Sequence, residues 1–262
     1  MAQDIFKRVE VKYLLNEEQY EEMMKRLEPY MQIDEYGLST ISSIYYDTDT
    51  YDVARKSMEK PVYKEKLRLR VYGEVKDDST AFLELKKKYK GVVYKRRISL
   101  PYKEAEDYLV RGIYPKKDSQ ILREIDYFIK FYHPSTGTLI RYDRIAMFCK
   151  NNKDIRITVD KNIRTRFNER HLSNSEDTES ILKEGEHLME IKVPGAMPMW
   201  LTKILSDLKV YPHSFSKYGS ACRMFLEFEN PAPESFVTET FATDKTVAVY
   251  IKPELRKETV LC

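Results

Sequence analysis

Hydrophobic and polar residues alternate along many short segments of this chain, with the period of two that is typical of half-buried strands. In residues 8–13 and 66–71, for example, every second side chain is charged and the others are apolar or aromatic. The pattern predicts strands at 5–15, 39–47, 62–72, 81–89, 92–100, 138–148, 154–160 and 187–193. Residues 73–80 predict a hairpin turn, and the polar stretch 168–186 predicts a loop.

Helical spacing replaces this alternation in three segments. Asn16 and Gln19 form a capping-box pattern that predicts a helix ending before Pro29. Residues 103–132 and 197–208 predict further helices. Hairpin-connected strands with a few helices favour one α+β domain, residues 1–228, built on a large antiparallel sheet or barrel. We interpret residues 229–262 as a peripheral tail.

Composition narrows the classes of function. The 262 residues contain 45 Lys+Arg and 42 Asp+Glu, a net charge of +3, whereas proteins that coat nucleic acid usually carry a large positive excess. No stretch approaches the ~18–20 uncharged apolar residues of a membrane-spanning helix, and the N-terminus is charged where a signal peptide is apolar. The three cysteines are widely spaced. We therefore expect a cytoplasmic protein, and one that does not simply coat nucleic acid.

The charged positions of the predicted strands fall on one face. Lys66, Arg68 and Arg70 lie side by side with no acid between them, although like charges on neighbouring positions are unfavourable. For any single strand an ordinary solvated face explains this pattern. Across many strands, however, a barrel with its charged face inward would form a basic tunnel, which a polyanion and a metal would neutralise. The helices would then cover the apolar outer face.

Several familiar motifs are absent from the sequence. It contains no GxxxxGK[ST] phosphate loop, GxGxxG, HExxH or GxSxG motif. None of the four histidines has metal-ligand spacing to another histidine. Any phosphate chemistry would therefore depend on side-chain cations and a metal held by carboxylates.

A series of motifs in chain order resembles a known superfamily. The motifs are 10–13 (EVKY), 45–48 (YYDT), 66–72 (KLRLRVY), 84–86 (ELK), 95–97 (KRR), 142–146 (YDRIA), 156–160 (RITVD), 189–192 (MEIK) and 215–218 (FSKY). They resemble the triphosphate tunnel metalloenzymes and, within them, the catalytic domain of the vacuolar transporter chaperone (VTC) polyphosphate polymerase in its bacterial stand-alone form. The resemblance runs from about residue 5 to 225.

The resemblance implies an eight-stranded antiparallel tunnel with helices on its outside, which transfers the terminal phosphoryl group of ATP to inorganic polyphosphate. It implies these phosphate ligands: Lys12, Arg68, Arg70, Lys86, Arg144, Arg156, Lys192 and Lys217. Further candidates for substrate binding are Lys66, Lys88, Lys95 and Arg97, of which the last three could equally be outer salt-bridge partners. Mn²⁺ or Mg²⁺ is expected on Glu190; Glu10 and Glu84 could bind the metal, hold cations or orient water. Asp160 could pair with Arg156 or help to hold the metal.

Other functions remain open at this point. A triphosphate hydrolase acting on inorganic triphosphate, thiamine triphosphate or RNA would use the same scaffold, and a non-catalytic module could bind polyphosphate without turnover. A nucleic-acid binder is the weakest alternative, because the aromatic residues follow no stacking pattern. The expected partners are ATP and polyphosphate, and a membrane partner protein for polymer export is compatible with them.

Overall fold

The computed structural model describes residues 9–59, 61–90, 92–116, 118–172 and 177–229. The strands in these ranges are β1 Val9–Leu15, β2 Met31–Asp47, β3 Tyr63–Tyr72, β4 Thr80–Tyr89, β5 Val92–Pro101, β6 Thr136–Cys149, β7 Arg156–Arg166, β8 Glu179–Ser180 and β9 His187–Val193. The helices are α1 Glu17–Leu27, α2 Asp52–Met58, α3 Tyr102–Arg111, α4 Gln120–Tyr132, α5 Met199–Asp207 and α6 Lys217–Glu229.

All strands belong to one antiparallel sheet in the order β1-β9-β7-β6-β2-β3-β4-β5, with β8 paired to β7. This confirms the predicted α+β fold, although the sheet has nine strands instead of eight. In the described residues no ladder joins β1 to β5, so hydrogen bonds do not close the sheet. The sheet nevertheless curls, because Lys12 of β1 and Lys88 of β4 line the same cavity.

The outer face of the sheet is apolar and is covered by four helices. Strands β2–β5 pack against α3 and α4, around fully buried residues such as Leu67, Leu83 and Phe128. Strands β1, β6, β7 and β9 pack against α1 and α5. Burying each large aliphatic side chain contributes about 1.5–3 kcal/mol, which makes these two cores the main stabilisation of the curled sheet.

The first helix begins and ends as the sequence predicts. The Asn16 side chain accepts a hydrogen bond from the Gln19 amide at 2.8 Å, and the Gln19 side chain accepts one from the Asn16 amide at 3.2 Å. The segment 103–132 instead forms two helices, α3 and α4. Gly112 ends α3 in the left-handed conformation (φ 71°), and the Ser119 hydroxyl caps α4.

Two strands, β2 and β7, extend well beyond their predicted ranges. Strand β2 begins at Met31, and its register shifts between Ile33 and Leu38, where Gly37 has φ 56°. Strand β7 continues to Arg166 past Asn162, whose φ is 52°. Such irregularities break the alternation on which a strand prediction depends. The predicted loop 168–186 contains the short β8, and its residues 173–176 lie outside the described residues, as do 5–8 of the first predicted strand.

The sequence pattern did not predict two helices, α2 and α6. Helix α6 lies on the inner side of the sheet, whereas α2 contributes Ala54 to the inner core and Val53 to the outer core. Asp47 at the end of β2 accepts hydrogen bonds from the amides of Val53 and Ala54, both at 2.9 Å, and thereby caps α2. Helix α6 packs against inner residues of β2 and β6 through Tyr218. It contains the boundary predicted at 228/229; residues 230–262 of the predicted tail lie outside the described residues.

Candidate active site

Three lysines occupy directly opposed positions on three neighbouring strands. Lys66 of β3 lies opposite Lys86 of β4, which lies opposite Lys95 of β5. Burial lowers the pKa of all three ammonium groups, although Lys86 and Lys95 keep contact with solvent. Neither Lys66 nor Lys86 forms an ion pair with a described residue. A row of this kind is unfavourable by itself and attractive to a polyanion.

One buried carboxylate, that of Glu84 in β4, binds cations of both neighbouring strands, β3 and β5. Glu84 is only 1% exposed and contacts Arg68 Nε at 2.5 Å, Arg97 Nε at 2.6 Å and Lys95 Nζ at 2.6 Å. Burial opposes ionisation of Glu84, but the charges of Arg68, Arg70 and Lys95 hold its pKa well below the ordinary value. The ionised carboxylate therefore fixes three cations along the inner face.

Arg70 and Tyr45 extend this cationic surface. Arg70 is buried and forms hydrogen bonds to the hydroxyls of Ser43 and Tyr142, both at 3.2 Å, with no ion pair to a described residue. The Tyr45 hydroxyl accepts a hydrogen bond from Arg68 Nη1 at 2.7 Å. Burial would raise the pKa of Tyr45, but the charges of Arg68 and Arg70 outweigh it and lower the pKa to about 8. This phenol therefore reports the positive field of the site.

A second cluster lies across the curled sheet, around Asp160 and Glu190. Asp160 is fully buried and binds Arg144 through two hydrogen bonds of 2.5 and 2.7 Å. Lys217 Nζ at the start of α6 bridges Asp160 at 2.5 Å and Glu190 at 3.0 Å. Burial opposes ionisation of Glu190, but Lys217, Lys12 and Arg144 hold its pKa well below the ordinary value. Asp160 thus pairs with Arg144 and Lys217, not with Arg156.

The remaining candidates lie toward the ends of these clusters. Lys12 Nζ is 3.5 Å from Glu10 and 3.8 Å from Glu190, and Lys192 Nζ is 3.7 Å from Glu10. Arg156 lies opposite Lys192 in the ladder, is exposed, and donates to the Lys153 carbonyl at 3.4 Å. Lys88 is exposed at the far end of β4. The structure therefore gathers most predicted ligands around Glu84 or Glu190 and places Arg156 and Lys88 at the periphery.

The carboxylates suit a metal ion held largely by substrate. The described residues contain no group of three or more His, Cys, Asp or Glu side chains arranged to hold a metal. Glu10 and Glu190 lie on either side of Lys12, and each has carboxylate oxygens of the kind that such an ion binds. Mg²⁺, which is usually bound by one or two carboxylates together with substrate phosphates, fits this donor set, and Mn²⁺ accepts the same oxygen ligands.

Three inner residues have contacts that sequence reasoning did not assign. The Tyr45 hydroxyl accepts a hydrogen bond from Arg68, and the Tyr142 hydroxyl accepts one from Arg70. Asp160 anchors Arg144 and Lys217. Tyr45 lies two residues from Asp47 in the YYDT motif, and period-two reasoning would have placed it on the inner face. One partner of Asp160, Lys217, lies on α6, which the pattern did not predict.

Two stacked tyrosine rings connect α6 to the cations around Glu84. The rings of Tyr45 and Tyr218 are stacked, with centroids 4.6 Å apart, and Lys66 Nζ lies 4.8 Å from the Tyr218 ring. The Tyr218 hydroxyl donates a hydrogen bond to Asp47. Helix α6 therefore joins the two cation clusters from the inner side.

Comparisons with solved structures find proteins of similar fold. The Hippeastrum protein HpAC1, described as an adenylyl cyclase candidate with a dominant triphosphatase activity, has a similar structure with a TM-score of 0.50 and 16% identity, covering 86% of this chain and 96% of that one. An adenylate cyclase candidate from Bacillus halodurans gives a TM-score of 0.47 with 13% identity, covering 80% of this chain and 93% of that one.

The fold is that of the triphosphate tunnel proteins. No curated protein matches the sequence. In the part of the chain that the structure describes, none of the helices combines the length and the apolar character needed to cross a bilayer. The VTC domain model matches residues 7–226, so this chain belongs to the VTC domain family.

Proposed function

We propose that this chain is a polyphosphate polymerase, which transfers the terminal phosphoryl group of ATP to the end of an inorganic polyphosphate chain and releases ADP. The observation that carries the proposal is the row Lys66, Lys86 and Lys95. Among the described residues, Lys66 and Lys86 form no close ion pair with a carboxylate, and Glu10 acts on Lys86 only at longer range. Such a row fits a linear series of phosphates. Membership of the VTC domain family supports the same activity.

The inner cations would do most of the chemistry. Phosphoryl transfer needs little covalent help from protein and depends on positioning and charge neutralisation. A terminal oxygen of polyphosphate forms the new bond to the γ-phosphorus, while the bond from that phosphorus to the β,γ-bridging oxygen breaks and ADP leaves with the electron pair. We assign contacts with the phosphates to Lys12, Lys66, Arg68, Arg70, Lys86, Arg144, Arg156, Lys192 and Lys217.

The carboxylates would divide into two roles. Glu190, with Glu10 beside it, would hold Mg²⁺ or Mn²⁺, which when bound neutralises negative charge on the phosphates. Glu84 already contacts Arg68, Lys95 and Arg97, so we assign it to holding these cations in place. Lys88 would contact substrate only at the periphery.

A triphosphate hydrolase is the second candidate, and Glu10 is the residue that favours it. Glu10 lies on the exposed end of β1 with only the longer contacts to Lys12 and Lys192, so its carboxylate could orient a water molecule. The triphosphatase activity described for the Hippeastrum protein is compatible with this chemistry on the same fold. The two candidates differ in the acceptor, polyphosphate or water.

Product analysis separates the candidates. Purified protein is incubated with ATP and Mn²⁺, with and without a short polyphosphate primer, and the products are resolved by phosphorus NMR and on polyacrylamide gels. We expect a ladder of chains with an equal amount of ADP, and loss of at least 100-fold in rate for Glu190→Gln but not for Glu22→Gln on the outer helix α1. Orthophosphate without chains would establish the hydrolase instead.

A further inference from the structure

An open cavity of about 510 Å³ lies where β1 approaches the end of β4 and the segment 212–215. Its lining combines two kinds of surface. Lys12 and Lys88 supply positive charge and Glu10 supplies a carboxylate, whereas Pro212 and Phe215 supply apolar surface. Lys12 also contacts Glu190, so the cavity continues directly into the second cation cluster.

The wall of this cavity is fixed by hydrogen bonds to β1. The His213 amide donates to the Lys12 carbonyl at 2.7 Å, and Tyr13 forms a bridge with Pro212. The Lys12 ammonium donates to the Phe215 carbonyl at 3.1 Å. The Phe215 side chain also packs against the inner core. The backbone at Phe215 is therefore held next to the Lys12 ammonium group before any ligand arrives.

The apolar part of the lining distinguishes between ligands. Inorganic polyphosphate presents only charged oxygens, for which the apolar side chains of Pro212 and Phe215 provide no hydrogen-bond donor. A nucleoside has a planar base that stacks on aromatic and proline side chains, and hydroxyls that suit polar groups such as those of His213 and Ser214. The combination of apolar wall and adjoining cation therefore matches the nucleoside end of a nucleoside triphosphate.

We propose that this cavity is the nucleoside subsite, with the phosphates of the bound nucleotide extending past Lys12 onto the inner face. The inference rests on the proposed function, because it requires that a triphosphate binds among the inner cations. It also assigns an end to the substrate: the nucleoside lies on the side of β1 and Phe215, and the terminal phosphate points inward.

Equilibrium binding tests the subsite without turnover. Titration calorimetry compares the β,γ-imido analogue of ATP with inorganic tripolyphosphate, using the wild type and Phe215→Ala. We expect the dissociation constant of the analogue to rise about tenfold in the variant, while that of tripolyphosphate changes less than twofold. The matched control is Tyr211→Ala, which removes a neighbouring ring that is 72% exposed and outside the lining; it should change neither constant.

The other outcomes contradict the subsite in distinguishable ways. If Phe215→Ala weakens both ligands equally, Phe215 acts on the fold of α6 and not on a nucleoside. If it weakens neither, the cavity does not hold the nucleoside. If the wild type binds neither ligand, the proposed function fails and the subsite fails with it.

Discussion

The charge state of each inner side chain depends on its burial and on the charged side chains beside it. Glu84 and Glu190 are buried, yet several cations hold the pKa of each below its ordinary value. Among the described residues, Lys66 and Lys86 form no close ion pair with a carboxylate, and burial lowers the pKa of both. The site therefore keeps its carboxylates ionised while leaving positive charge that phosphate oxygens can neutralise.

Tyr45 gives a spectroscopic test of this field. Its pKa of about 8 results from nearby Arg68 and Arg70, so the phenol should ionise well before ordinary tyrosines. We expect the near-ultraviolet absorbance of phenolate to rise near pH 8 in the wild type and not in Tyr45→Phe. Bound tripolyphosphate adds negative charge and should move this titration to higher pH. A wild type and variant with identical titrations near pH 8 would show that the field is absent.

Much of the residue-scale pattern is predictable from alternation alone. The period of two places Lys66, Arg68 and Arg70 on one face, as the structure shows. It does not predict that Lys87 and Arg96, on the outer face, pair with Glu124 of α4 at 3.3 and 2.8 Å. Nor does it give the partners of Asp160, because these require the order of strands and the position of a helix distant in sequence.

At the scale of elements, α6 delivers Lys217 to the site. The first residue of this helix bridges Asp160 and Glu190, and its second residue, Tyr218, donates a hydrogen bond to Asp47. Asp47 also caps α2, so one buried carboxylate fixes two helices. The sequence did not predict either helix, since α2 has only seven residues and α6 is only weakly amphipathic.

Removing the Tyr218 hydroxyl should loosen this attachment. In Tyr218→Phe, Asp47 retains its backbone donors but α6 loses a side-chain tie, which is worth about 1–3 kcal/mol at a buried carboxylate. We expect faster amide hydrogen exchange in α6, a melting temperature lower by about 2–8 °C, and turnover of ATP reduced about tenfold because Lys217 is less well held. Tyr127→Phe, on the exposed face of α4, is the control. Unchanged exchange in α6 would contradict the role given to Tyr218.

At the scale of the whole molecule, the outer cores support an inner face that opposes folding. The apolar outer clusters bury most of the large aliphatic side chains, whereas the inner rows bring like charges together. Functional sites commonly retain such unfavourable arrangements and lose stability for them. The sheet and its outer helices were predictable from hydrophobic periodicity, but the extent to which the sheet curls was not, because it depends on the twist accumulated over all the strands.

Lys86→Met tests this opposition between stability and binding. Because the folded-state pKa of Lys86 is lowered, its protonated form destabilises the free protein, fully below that pKa and less as pH rises toward 10.5. At pH 7 we expect the variant to melt about 2 °C or more above the wild type in the absence of ligand. Lys130→Met on α4 removes an ammonium group paired with Asp126 at 2.7 Å and should not raise the melting temperature. Equal melting temperatures for Lys86→Met and the wild type would refute the stored repulsion.

The most direct test of the account is the affinity of these same proteins for inorganic tripolyphosphate, measured by titration calorimetry at fixed salt and pH 7. A charge-assisted hydrogen bond is worth about 1.5–3 kcal/mol, so Lys86→Met should raise the dissociation constant by at least tenfold. Lys130→Met should bind as the wild type does. If Lys86→Met also binds tripolyphosphate with wild-type affinity, the inner face is not a phosphate-binding tunnel.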